Sequence, residues 1–116
     1  MTLQFSEKAI APDITVLELQ GRMHLGNRLS DAEWAARQIV NSGKRKLILD
    51  LTGVDYIDSA ALGMLVFVTG EMSRQDGKTV LVGANQRVSD VITLAHVDQI
   101  LTLAPDLDSA KTMLAA

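Results

Sequence analysis

The chain has 116 residues, room for one domain and not for two independent cores. Apolar residues make up 47% and charged residues 22%, near the average for a globular protein, which excludes a disordered or collagen-like chain. Fourteen acids against eleven bases leave a net charge of −3, without the broad positive field that nucleic acid or an anionic membrane requires. The absence of cysteine removes disulfide frameworks, thiolate nucleophiles and cysteine-based zinc sites together. The two histidines, His24 and His96, are too far apart in sequence to suggest a metal centre. No stretch approaches the roughly 18 uninterrupted apolar residues of a membrane span. The first residues lack the basic start, apolar middle and cleavage site of a signal peptide, so a cytoplasmic location is expected.

In chain order, Leu3 to Glu7 reads as an edge strand. Ile14 to Gln20 alternates apolar and polar near its ends, as a half-buried strand does. Ser30-Asp-Ala-Glu33 fits a capping box, and Leu29, Ala32, Ala36, Ile39 and Val40 then form one apolar stripe at helical spacing. Trp34 falls on the opposite side, either as an interface anchor or, more commonly, laid against a neighbouring element. Lys44-Arg45-Lys46 reads as a solvated turn. Lys46 to Thr52 carries a short, nearly continuous apolar run, as a central strand covered by helices would. A turn then leads to Asp58-Ser59 and a helix to about Gln75, apolar around nearly its whole circumference and expected to be deeply packed. Gly63 and Gly70 share one face of it and are expected to allow close approach to the sheet. Lys78 to Gly83 repeats the central-strand pattern. Asn85 caps a helix with Val88, Val91, Ile92 and Ala95 inward; Ile100 to Leu103 is a short strand; Asp106 caps a last helix with Leu107, Ala110 and Leu114 inward. The five methionines read mostly as core filler. The order β-β-α-β-α-β-α-β-α implies an α/β fold, a small mixed sheet of about five strands covered by about four helices.

The informative stretch runs from Leu47 to Leu65: buried strand, turn, then Asp58-Ser59 at a helix entrance. A hydroxyl there sits among the unpaired N–H groups of the first turn, at the positive end of the helix dipole. Asp58 or Ser59 as a plain N-cap is the alternative. A hydrolase nucleophile elbow needs Gly-x-Ser-x-Gly, and neither glycine flanks Ser59. Nothing in the spacing supports a Ser-His-Asp triad with His24 or His96. Gly77-Lys78-Thr79 looks like the tail of a phosphate-binding loop but leads into a strand rather than a helix. No carboxylate pair stands out for acid/base work. These residues supply no catalytic, cofactor-binding or metal-ligating set.

Over nearly its whole length the chain resembles the STAS domain family, and within it the free-standing bacterial anti-sigma factor antagonists. Gly21 closes the second strand where the family places a glycine, and Leu47-Ile-Leu-Asp-Leu-Thr52 matches its central strand. Asp58-Ser59 followed by Leu62-Gly63 matches the Asp-Ser-x-Gly-Leu-Gly signature. Gly77-Lys78 and the Val88/Val91/Ile92 helix follow in the expected order. The resemblance implies a regulatory switch rather than an enzyme. Ser59 would be phosphorylated by an anti-sigma factor with an ATP-dependent serine kinase fold, and a metal-dependent serine phosphatase would reverse the mark. The unphosphorylated form would bind the kinase and free its other client. Asp58 would mark the helix entrance, and Ala60, Ala61, Leu62 and Gly63 the recognition turn.

The chain departs from the family in two places. Ala61 stands where the family has a glycine, and Gly21-Arg22-Met23-His24 replaces an acidic turn, so the partner-facing charge at Arg22, Met23 and His24 is more positive. His24 is either a phosphate contact or pH sensor, or a solvated loop residue. The alternative within the same fold is a non-switching STAS scaffold subunit of a transport or stress-sensing assembly. A nucleotide-binding module is a weaker third reading. No nucleic-acid or membrane partner is expected.

Overall fold

The computed structural model describes residues 2–115. The elements are β1 (Gln4–Ala11), β2 (Ile14–Met23), α1 (Leu29–Asn41), β3 (Lys46–Ile57), α2 (Ser59–Arg74), β4 (Lys78–Val82), α3 (Gln86–Leu94), β5 (Leu103–Ala104) and α4 (Leu107–Ala115). They follow the expected order. Sheet order equals chain order, β1-β2-β3-β4-β5, with β1 antiparallel to β2 and all later pairs parallel. The mixed sheet of five strands agrees with the sequence reading.

The pleat sorts side chains by type. Leu17, Leu19, Leu47, Leu49, Leu51 and Leu81 face one side, where α1, α2 and α3 cover them. Val16, Ile48, Val80 and Val82 face the other, where α4 supplies Ala110 and Leu114. Each such large side chain, fully buried, contributes about 1.5–3 kcal/mol relative to exposure, which is why this alternation fixes the register. The α1 stripe is buried at Leu29, Ala32, Ala36, Ile39 and Val40, the residues its periodicity selects. Met23, Met64 and Met72 are core residues, but Met113 is 41% exposed, and Met1 lies outside the described residues. Lys46 is tied by an ion pair to Asp13 in the β1–β2 turn at 2.8 Å, and Arg45 beside it is exposed.

Several expectations need correction. No capping box starts α1. Its N-cap is Arg28 in a left-handed conformation, without a side-chain cap bond, so Ser30 already lies inside the first turn. An Asn27 N–H to His24 carbonyl turn and an Asn27 Nδ2 to Arg22 carbonyl bond deliver the chain into the helix earlier than the box predicted. The turn expected after Thr52 is strand: β3 runs on to Ile57, pairing Gln20 with Gly53 and Gly21 with Val54 across a register shift. A Cβ on Gly53 would lie 2.8 Å from Gln20 Cγ, so glycine permits that close pass. β1 extends to Ala11, and β5 begins only at Leu103. In α3, Ala95 is the exposed C-cap rather than an inward residue.

The largest correction concerns α2. Gly63 and Gly70 do not face the sheet; both are exposed, and a Cβ at either would meet nothing within 4 Å. With Phe67, 40% exposed, they form an outer stripe that begins at Ser59. The helix buries Ala61, Met64, Leu65, Val68 and Met72, and packs Ala60, Leu62 and Val66 partly against the core. Trp34 on α1, expected more commonly to be laid against a neighbouring element, is largely exposed, at 66%.

Candidate functional site

The site forms where β2 and β3 end. Two irregularities in their pairing, between Glu18 and Gln20 and between Gly21 and Arg22, bring Arg22 opposite Tyr56 and Met23 opposite Ile57. Gly21 accommodates the second with φ 109°, a conformation that favours glycine. Asp58 follows in extended conformation, its amide donating to the Met23 carbonyl at 3.1 Å, and α2 starts at once.

Asp58 does the capping. Its Oδ1 accepts from the Ala61 amide at 2.8 Å, and its carbonyl accepts from the Leu62 amide at 3.0 Å. Its Oδ2 reaches back to the β2–α1 loop and accepts from the Leu25 amide at 3.0 Å. Partial burial pushes the Asp58 carboxyl up, but the Leu25 and Ala61 amides and the charge of His24 outweigh it. The group is held below the usual carboxylate range. His24 Nδ1 lies 3.1 Å from the Leu25 carbonyl, so histidine, loop and aspartate form one cluster.

Ser59 is the first residue of α2 and is exposed. Since Asp58 takes the cap, the serine hydroxyl has no part in it, and no hydrogen bond from that hydroxyl occurs among the described residues. Around it, Gly63 and Arg22 are exposed, and Ala60, Leu62 and His24 are partly exposed. Met23 and Ala61 are fully buried and offer no side-chain surface to a partner; they pack the site from beneath.

Several neighbours escaped sequence reasoning. Leu25, 72% exposed, sits beside Asp58 because of the amide bond. Phe67 continues the Ser59–Gly63 stripe, and the Arg37 guanidinium lies 5.3 Å from its ring, linking it to the Trp34 helix. Arg22 stacks 5.1 Å from the Tyr56 ring, beside a cleft that Arg22, Asp55 and Arg87 also line. Among the described residues no group of three or more His, Asp or Glu side chains is placed to hold a metal ion. Among the described residues no helix is long and apolar enough to cross a membrane.

The STAS domain profile matches residues 6–110. The chain belongs to the STAS domain family. This STAS domain is 28% identical over 101 residues to a Thermotoga maritima protein named as an anti-sigma factor antagonist, covering 87% of this chain and 89% of the relative. The crystal structure from that organism superposes with a TM-score of 0.87 over 97% of this chain and 95% of that one. BtrV of Bordetella bronchiseptica, also named as an anti-sigma factor antagonist, is 31% identical over 79% of this chain and 78% of its own. The phosphorylated form of Bacillus SpoIIAA shares the fold, with a TM-score of 0.73 over 95% of this chain and 99% of that one, at 14% identity.

Proposed function

We propose that this STAS domain is an anti-sigma factor antagonist of a partner-switching pathway, and acts by binding, not catalysis. The unphosphorylated chain binds a cytoplasmic anti-sigma factor with an ATP-dependent serine kinase fold and releases that factor's client. Phosphorylation of Ser59 ends the binding, and a metal-dependent serine phosphatase restores it. The observation that carries this reading is the idle, exposed Ser59 hydroxyl beside an aspartate that does the structural work. The relatives named as anti-sigma factor antagonists support the same role.

Magnitudes are adequate for a switch. Inverting occupancy from 99:1 to 1:99 needs about 5.5 kcal/mol of differential affinity. A phosphate adds about −1.5 to −2 charges, and a unit like-charge contact at about 4 Å costs roughly 4 kcal/mol at an effective dielectric near 20. A phosphoserine pressed into a partner beside the ionised Asp58 reaches that size. In the free protein the positive end of α2 offsets part of the added charge, so the fold has no need to change.

The partner's footprint is the outer stripe of α2 from Ser59 through Gly63 to Phe67, with Leu25 and His24 on one flank. Glycine inside a helix costs about 0.8–1 kcal/mol relative to alanine. Nothing among the described residues crowds Gly63, so close approach of an outside backbone is the function it serves. Arg22 and Arg87 at the neighbouring cleft suit a partner with an acidic docking face.

The test has two parts. Mass spectrometry of Ser59 peptides from native cells is expected to find phosphate, and Ser59→Asp is expected to abolish binding to the kinase that Ser59→Ala retains. An unmodified Ser59, with partner binding indifferent to Ser59→Asp, would replace this reading with the scaffold one.

A further inference from the structure

The C-terminal half of α2 borders a second feature, unrelated to Ser59. β5 pairs with β4 only at Leu81↔Leu103 and Val82↔Ala104. Beside the first half of β4 lies a cavity of about 340 Å³, at the small end of the roughly 300–1,000 Å³ of ligand pockets. Successive residues of a strand point to opposite faces of the sheet, which sorts the lining into two chemistries. Thr79 points to the α2 side, as Leu81 does, and shares that wall with Thr69 and Ser73 of the helix. Lys78 and Val80 point to the α4 side, where Met113 of α4 completes the wall. Ile100, 52% exposed, and Met113, 41% exposed, form an apolar rim.

One group on the hydroxyl wall is out of place. Among the aliphatic residues of β4, Thr79, only 6% exposed, keeps a buried hydroxyl with no partner among the described residues. Valine has the same shape and no polar atom to desolvate, so the hydroxyl costs stability unless something outside the chain completes it. Thr69 offers a second oxygen, of fixed polarity. Its hydroxyl proton is committed to the Leu65 carbonyl at 2.8 Å, which leaves only lone pairs for the cavity. Ser73 adds a third in the last turn of α2, where the negative end of the helix dipole favours a cation.

We propose that this cavity binds a small aliphatic amino acid. The hydroxyl oxygens of Thr69, Ser73 and Thr79 match the three N–H donors of its ammonium group. The Lys78 ammonium on the opposite wall takes the carboxylate, and Val80, Ile100 and Met113 take the alkyl side chain. An acid without the ammonium would face the wrong end of α2, and an amine without the carboxylate would be repelled by Lys78. The zwitterion therefore fits where either half alone does not. Thr69 and Ser73 lie ten and fourteen residues along α2 from Ser59, about 15–21 Å at helical rise, so the cavity is separate from the phosphorylation site.

The test titrates the full chain with leucine and follows amide chemical shifts by NMR. Saturable shifts centred on Thr69, Ser73 and Thr79 are expected, with a dissociation constant of about 1 mM or below. Isocaproate, which is leucine without the ammonium, and isoamylamine, which is leucine without the carboxylate, are each expected to bind at least about tenfold more weakly. Thr79→Val is expected to keep or raise the melting temperature while weakening leucine binding at least about tenfold, and Thr79→Ser, which keeps the hydroxyl, to retain binding. Ser73→Ala, at an exposed position, is expected to weaken binding in a chain whose circular dichroism spectrum is unchanged. Absence of saturable shifts at about 10 mM leucine, an analogue that binds as tightly as leucine, or undiminished binding by Thr79→Val overturns the proposal. None of these outcomes bears on Ser59.

Discussion

Asp58 and Leu25, 33 residues apart, are joined by a 3.0 Å bond from the Leu25 amide to Asp58 Oδ2, while the same carboxylate caps α2 through the Ala61 amide. One side chain therefore fixes both the entrance of the helix that bears Ser59 and the loop beside it. Asp58→Ala is expected to destabilise the fold by about 1–2 kcal/mol, the usual cost of losing an N-cap. Asp58→Asn, with one acceptor left for Ala61, should cost less and release only the loop. Urea denaturation measures the first effect, and exchange of the Leu25 amide the second; equal stability of both variants and wild type would contradict the double role.

The same carboxylate sets an acid limb. Its pKa is depressed in the folded state, so its contribution to stability is fully present above the unfolded value of about 3.9. That contribution is lost as pH falls through the lower folded value. Stability of wild type relative to Asp58→Asn is expected to be flat from neutral pH to about 4 and to shrink below it, in a series of denaturation curves.

Ser59 is exposed and outside the cap, so neither Ser59→Ala nor Ser59→Asp is expected to change stability by more than about 0.5 kcal/mol, the usual range for surface sites. Circular dichroism and thermal melts check this. A melted domain in Ser59→Asp would mean that the added charge acts by unfolding rather than by excluding a partner.

Gly63 and Gly70 give a prediction in which stability and binding part company. A Cβ at either position meets nothing within 4 Å, so Gly63→Ala and Gly70→Ala are each expected to stabilise the fold by up to about 1 kcal/mol. Only Gly63→Ala, one turn from Ser59, is expected to weaken kinase binding, as isothermal titration will report. Undiminished binding by Gly63→Ala would remove that glycine from the footprint.

The elements that were legible are those whose signal is local. The 3.6-residue stripe of α1 and the caps Asn85 and Asp106, which accept from the Val88 and Ser109 amides, follow from neighbours in sequence. Where the reading failed, a distant residue decided. Gly53 looked like a turn because the passing Gln20 side chain, which it accommodates, is far away in the chain. Ser30 lost its cap because a turn held by Asn27 brings the chain into α1 at Leu29. The apolar composition of α2 suggested burial all round, yet composition does not distinguish a residue facing the core from one awaiting another molecule, as Phe67 shows. The Ser59 environment was readable in outline from Asp58-Ser59; the Leu25 bond and the Arg37–Phe67 stack were not, since each joins separate elements.

The agreement between sheet order and chain order bears on how the molecule assembles. Each strand pairs with the one made just before it, so no later strand must be threaded between two already joined. Loop closures stay short, which favours rapid folding. The sheet can grow outward from the β1–β2 hairpin as the polypeptide emerges from the ribosome.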